Sequence, residues 1–174
     1  YYHQFNLDLE KALKWTIRAT EKSPTFGYAL ARLADLHFAF ANHDKTRSAL
    51  GRALEHSPEN AQVRVLQGFM HLASARPGAA LSIFDQAIAI DPMLSNAWLG
   101  RGLAMYQIGT KSEGRQNIQR AVIMDSQRSI LRSYLGKAYA LNADTDLAIK
   151  EFRRAMELDP NDPTPFLYRA LVLF

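Results

Sequence analysis

Three histidines, His3, His37 and His71, recur at a spacing of 34 residues, the arrangement expected if successive structural units each lent one ligand to a metal. Geometry argues against that chemistry. Equivalent residues on neighbouring packed helices stand roughly 8–10 Å apart, whereas all ligands of one zinc lie within about 2.1 Å of it. Met105, Tyr139 and Leu173 take the same position further along, so the slot reads as filler between helices and no metal site is assigned. His43 and His56 fall near a turn and a helix end, where solvation accounts for them. The acid pairs Asp8 with Glu10 and Asp144 with Asp146 precede helices, where capping and the positive end of the helix dipole explain them better than general acid–base work. Glycines occur singly and never build a phosphate cradle. No cysteine is available as a thiolate, and no serine has a neighbouring His–Asp arrangement. The chain reads as a non-enzyme with no catalytic residue and no cofactor.

The spacing of the histidines belongs to a wider periodicity. Ala19, Ala53, Ala87, Ala121 and Ala155 are alanine at the same 34-residue interval, and Pro24, Pro58, Pro92 and Pro160 hold a second slot that Ser126 fills once. Between these marks, apolar residues recur with helical spacing, as at Val63, Leu66, Phe69, Met70 and Ala73 and again at Ala80, Ile83, Phe84, Ala87 and Ile88. Pro77 then belongs in the first turn of the second helix, because it would break a helix interior. One unit is thus a helix, a turn and a helix. The pattern predicts a helix tail at 1–7, then helices over 9–22, 28–40, 45–56, 95–108, 129–141, 146–158 and 164–174, with another starting after Gly109 through a Thr110–Glu113 capping box. Asp162 and Pro163 supply an N-cap and first-turn proline for the last of these. A single domain over 1–174 follows, made of a partial unit 1–26, full units 27–60, 61–94, 95–128 and 129–162, and a partial unit 163–174. The chain is expected to begin inside a unit.

Packing slots repeat as well. A small residue recurs at Ala34, Gly68, Gly102, Gly136 and Ala170, although glycine weakens a helix by about 1 kcal/mol. A bulkier residue sits in the complementary slot at Leu50, Phe84, Ile118 and Phe152. Together with the stretches LGRGLAMYQIG and YLGKAYALNADTDLAIKEFRRAMELDPNDP, these features resemble the tetratricopeptide repeat, a 34-residue helix-turn-helix unit. The resemblance covers nearly the whole chain. It departs early in the first helix, where Leu30, Trp98 and Phe166 alternate with Arg64 and Arg132, and at a second slot holding Gln67, Arg101 and Arg169. Long arginine stems lying over apolar neighbours, with their heads in water, account for these positions.

The resemblance implies an all-α, right-handed superhelical α-solenoid whose concave face, lined by the first helix of each pair, receives an extended peptide or a partner helix. By the family pattern that groove is lined by Tyr28, Ala31, Asp35 and Phe38, then Gln62, Val65, Phe69 and Leu72, then Asn96, Leu99, Leu103 and Tyr106, and finally Ser133, Lys137, Leu167 and Leu171. The family's clamp for terminal carboxylates needs Lys and Asn where this chain has Ala31 with Asp35, Val65 with Phe69, and Leu99 with Leu103, so that clamp is not expected. Recognition would instead bury a partner's side chains, with aromatics contributing strongly. Self-packing of the same aromatics competes with this reading.

A net charge of +4, from 21 basic and 17 acidic residues, is small, and the basic residues of the second helices alternate with acids. That pattern fits a solvated face and not the basic stripe with stacking aromatics that nucleic acid requires. No apolar run of about 18 residues marks a membrane span, and no signal peptide is visible, which leaves a cytoplasmic or periplasmic site equally open. The expected partner is therefore a protein or peptide, with no nucleic acid and no membrane insertion. Homo-oligomer formation through exposed solenoid ends is a further expectation. Two alternatives to a binding scaffold stand beside it: a structural spacer or self-assembling segment of a longer repeat protein, and a regulatory arm of an enzyme outside this chain.

Overall fold

The computed structural model describes residues 8–173. The expected helix tail at 1–7, His3 and Phe174 lie outside the described residues, as does the side chain of Leu173. The described residues form ten α-helices and no strand: α1 (Leu9–Lys22), α2 (Gly27–Ala39), α3 (His43–His56), α4 (Ala61–Ala73), α5 (Pro77–Ile90), α6 (Ser95–Ile108), α7 (Lys111–Met124), α8 (Ser129–Ala140), α9 (Thr145–Leu158) and α10 (Thr164–Leu173). The all-α class read from the periodicity is the one observed.

The chain divides into two compact units, residues 1–67 and 68–174. In the first, α1 packs on α2, and α2 pairs with α3 as a helical hairpin. In the second, α5 packs on α6, α6 pairs with α7, α7 leans on α8, α8 pairs with α9, and α10 lies against both α8 and α9.

The turn inside each hairpin is built the same way. After α2, the N–H of Asn42 reaches His37 O at 2.9 Å and that of Ala41 reaches Phe38 O at 2.9 Å, the paired bonds of a Schellman motif. The same pair recurs after α4 (Arg76 to His71, Ala75 to Leu72), after α6 (Thr110 to Met105, Gly109 to Tyr106) and after α8 (Asp144 to Tyr139, Ala143 to Ala140). The motif needs one left-handed residue, and it falls at Ala41, Ala75, Gly109 and Ala143, with φ of 54°, 53°, 94° and 63°. Only one of these is glycine, so at the other three turns the residue type does not mark which position takes the left-handed conformation. The compact closure also moves the helix starts: α3 begins at His43, inside the expected turn, and α9 begins at Thr145.

The expected capping box before α7 does not form. Thr110 is the N-cap, but its Oγ1 donates to Met105 O at 3.2 Å and caps no N–H of α7. Asp8 does cap, accepting from Lys11 N at 3.0 Å. At the far end of each second helix, the next N–H bonds back to the repeated alanine, as Asp91 does to Ala87 O and Asp159 to Ala155 O, and proline then follows except after α7, where Ser126 stands.

The core rests on the small-and-large slots. A methyl group added at Gly68 would stand 2.6 Å from the Phe84 ring, one at Gly136 2.5 Å from Phe152, and one at Gly102 2.7 Å from Ile118. Glycine's helix penalty is thus offset by a contact that no larger residue permits. Ala53, Ala87, Ala121 and Ala155 are fully buried, whereas Ala19 in α1 is exposed.

Candidate functional site

The candidate site is the set of first-helix faces, and burial sorts its residues into support and surface. In the first unit, Tyr28 is two-thirds exposed, with its ring 6.1 Å from Phe26, itself half-exposed. Ala31 is half-buried, and Asp35 is exposed and accepts from Arg32 Nη1 one turn before it. The half-buried Phe38 meets His43 edge to face at 6.3 Å. Gln62 is exposed, and Val65 is buried.

In the second unit the centre of the expected face is spoken for. Leu99 is buried, and Ser133 is fully buried, with its Oγ donating to Ser129 O at 3.1 Å. Phe69, Leu103 and Tyr106 are half-buried and pack on the core formed by Leu99, Ile118, Ala121, Val122, Leu131, Leu135 and Ala138. Phe69 sets its ring edge to face with Phe84 at 5.2 Å, a geometry that favours aromatic pairs beyond their buried area. Tyr106 Oη donates to Ala138 O at 3.2 Å and accepts from Asn142 Nδ2 at 3.0 Å; burial pushes its phenol up in pKa. Leu72 and Asn96 are half-buried, and the Asn96 carbonyl accepts from Arg128 at 3.0 Å. Val65, Leu99 and Ser133 therefore support the face instead of offering contact area, and Phe69, Leu103 and Tyr106 spend most of theirs on the core.

Within the second unit, the exposed part lies on α8 and α10. Lys137 is exposed, with its ammonium 4.7 Å from the centre of the Tyr168 ring, while Leu167 and Leu171 are 59% and 68% exposed. Tyr168 itself is half-buried against Tyr134 at 5.9 Å, and burial first, then Tyr134, pushes its phenol up to about 12. Leu141, which closes α8 one turn beyond Lys137, is 53% exposed and was missed by the sequence reading. Its position one turn from Lys137 was the available signal.

The departing arginines do not act alone. Arg64, Trp98 and Arg132 occupy one slot, and each donates to the carbonyl six residues upstream: Pro58 at 3.3 Å, Pro92 at 2.8 Å and Ser126 at 3.0 Å. Arg132 also pairs with Glu151 at 2.8 Å, and Arg101 bridges Asp85 at 2.7 Å and Asn117 at 3.0 Å. These heads tie helices together, so they do not simply extend into water.

His37 is buried and His71 half-buried. For each, burial first and a nearby cation second (Lys45, Arg76) hold the imidazole below its ordinary pKa. Both behave as packed neutral side chains. No helix among the described residues is long and apolar enough to cross a membrane.

Comparison with known proteins agrees with this architecture. Models of the tetratricopeptide repeat match residues 31–93 and 135–162. The chain is 25% identical over 168 residues to anaphase-promoting complex subunit 3 of Schizosaccharomyces pombe, covering 95% of this chain and 25% of that protein, so it spans about a quarter of the relative's length. Among solved structures it resembles a thermophilic TPR protein of Thermus thermophilus, with a TM-score of 0.86 at 20% identity over 99% of this chain and 94% of the other. It also resembles PilW, a widely conserved type IV pilus biogenesis factor, with a TM-score of 0.77 at 19% identity over 99% and 81%. A third likeness is to YrrB, described as a TPR protein with an unusual peptide-binding site, at a TM-score of 0.62 and 16% identity over 97% and 87%. From the repeated slots, the packed helix pairs and these matches, the chain belongs to the tetratricopeptide repeat family.

Proposed function

We propose that this chain is a non-catalytic protein-interaction scaffold, with units 27–60, 61–94, 95–128 and 129–162 between partial ones, that binds a peptide or partner helix on its first-helix faces. The observation that carries the reading is the exposed aliphatic pair Leu167 and Leu171, one turn apart on α10, with Leu141 at the end of α8; each leaves more than half its surface open. Large aliphatics grouped on one face mark interaction surfaces, whereas singly scattered ones do not. The unusual peptide-binding site ascribed to YrrB, a protein of similar fold, supports this reading.

The test is partner capture by the whole chain, comparing wild type with Leu167→Glu plus Leu171→Glu, and with Lys150→Glu plus Arg154→Glu on the second helix α9 as control. Loss of partners with the leucine pair alone, at unchanged circular dichroism, supports the reading. Loss with the α9 pair alone moves the function to the second helices. A second reading, assembly within a longer repeat protein, rests on the relative being a complex subunit four times as long. Concentration-dependent sedimentation with no captured partner would favour it.

A further inference from the structure

The alternation of bases with acids along the second helices breaks down on α1. Lys14, Arg18 and Lys22 follow one another at four-residue steps, which sets them in single file along one side of the helix, and all three are exposed. Ala12 and Thr20, which are buried, lie to the other side. No other helix carries three cations at successive four-residue steps. On α3 and α9 a cation instead meets an acid one turn away, Arg47 with Asp44 and Arg154 with Glu157. On α1, Lys11 pairs with Asp8 at 2.9 Å, whereas Lys14, Arg18 and Lys22 make no ion pair among the described residues, and neither do Glu10 and Glu21, the two acids of that helix.

Like charges one turn apart repel, and here the repulsion acts twice, between Lys14 and Arg18 and between Arg18 and Lys22. A matching row of carboxylates turns that repulsion into attraction. The row climbs about 6 Å per step and about 12 Å in all, and it follows one of the four-residue ridges along which packed helices align. An acidic ridge with the same step on another helix therefore meets all three cations together. Other polyanions match less of this surface. One exposed aromatic, Trp15, flanks the row, and Arg18 already lies over its ring at 4.9 Å. Single-stranded nucleic acid uses successive stacking rings, and a bilayer takes up a broad apolar face; the row offers neither.

We propose that Lys14, Arg18 and Lys22 form a docking row for an acidic helix of a partner protein, one that carries carboxylates at four-residue spacing. The row lies outside the first-helix faces and does not depend on the scaffold reading above.

The test titrates the whole chain with labelled alanine-rich helical peptides that hold three glutamates at i, i+4 and i+8, or the same three at i, i+2 and i+5, where they spread round the helix. An oligothymidylate and phosphatidylserine vesicles serve as the competing polyanions. The in-register peptide should bind roughly tenfold tighter than the scattered one, the scale of three exposed ion pairs, and its affinity should fall as salt rises. Lys14→Gln with Arg18→Gln should remove the preference for register, and Lys14→Arg with Lys22→Arg should keep it. Lys150→Gln with Arg153→Gln, the same loss of charge on α9, should leave it unchanged. These substitutions fall on exposed side chains, and circular dichroism confirms that each variant keeps its helices. Equal binding of the two peptides, equal loss with the α9 pair, tighter binding of the oligonucleotide or the vesicles, or no binding of any probe overturns the proposal. Leu167→Glu with Leu171→Glu should leave the acidic peptide bound, so failure of this row and failure of the scaffold reading are told apart.

Discussion

At the scale of single residues, the hairpin turns hold a conflict that composition does not reveal. Ala41, Ala75 and Ala143 sit at positive φ, where an L residue with a Cβ is disfavoured by about 1–2 kcal/mol, whereas Gly109 does the same job without that cost. Ala75→Gly and Ala143→Gly should therefore each raise stability by up to about 1 kcal/mol, and Gly109→Ala should lower it by a similar amount. Urea denaturation of the three variants checks both signs. The histidines set a pH dependence. His37 and His71 are held below their ordinary pKa in the fold, so the unfolded chain binds protons first. Their contribution is complete above the unfolded value near 6.5 and is lost as pH falls from there toward their lower folded values. The slope cannot exceed about 1.4 kcal/mol per pH unit for each histidine. His37→Gln with His71→Gln should flatten urea midpoints measured between neutral and mildly acidic pH, and an unchanged slope would mean that both imidazoles titrate freely.

At the scale of the element, helices were legible because their slots repeat, while their junctions were not. The alternation of small Gly68, Gly102 and Gly136 with bulky Phe84, Ile118 and Phe152 could be read from spacing, and these residues meet in the fold. Which alanine would take a left-handed turn could not be read, because that conformation is imposed by the closing bonds from residues such as Arg76 and Asp144. The Thr110–Glu113 box failed for a related reason: the same closure draws the Thr110 hydroxyl back to Met105 O. The Ser126 junction follows this logic. Its carbonyl is held by Arg132, as that of Pro92 is by Trp98, so the contact survives the loss of proline while the restraint on φ does not. Hydrogen exchange should be faster across 125–127 than across 91–93, and Ser126→Pro should add about 0.4–1 kcal/mol of stability. Faster exchange at 91–93 would show that the Arg132 tether outweighs proline's restraint.

For the whole molecule, the question is which part of each first-helix face belongs to the core and which part remains for a partner. Family spacing places Phe69, Leu103, Lys137 and Leu171 in one equivalent slot, because spacing records the side of a helix and not the depth to which a residue is covered. Depth depends on neighbours: Phe69 has Phe84 at 5.2 Å, and Leu103 packs on the shared core, whereas Leu171 is 68% exposed. The same substitution at equivalent positions must therefore report different things. Phe69→Glu with Leu103→Glu puts charge against an apolar core and should cost several kcal/mol, on the order of 2–5 for the pair. Leu167→Glu with Leu171→Glu adds charge where water already reaches and should leave stability nearly unchanged while abolishing a docked partner. In a stack of repeats, stability is close to a sum of units and their interfaces, so the first pair should broaden or lower the thermal transition followed by circular dichroism. A partner assay alone would score both pairs as loss of binding, and only the melting curve separates them. Equal melting for the two pairs would place Phe69 and Leu103 on the accessible face and return the centre of the binding surface to α4 and α6.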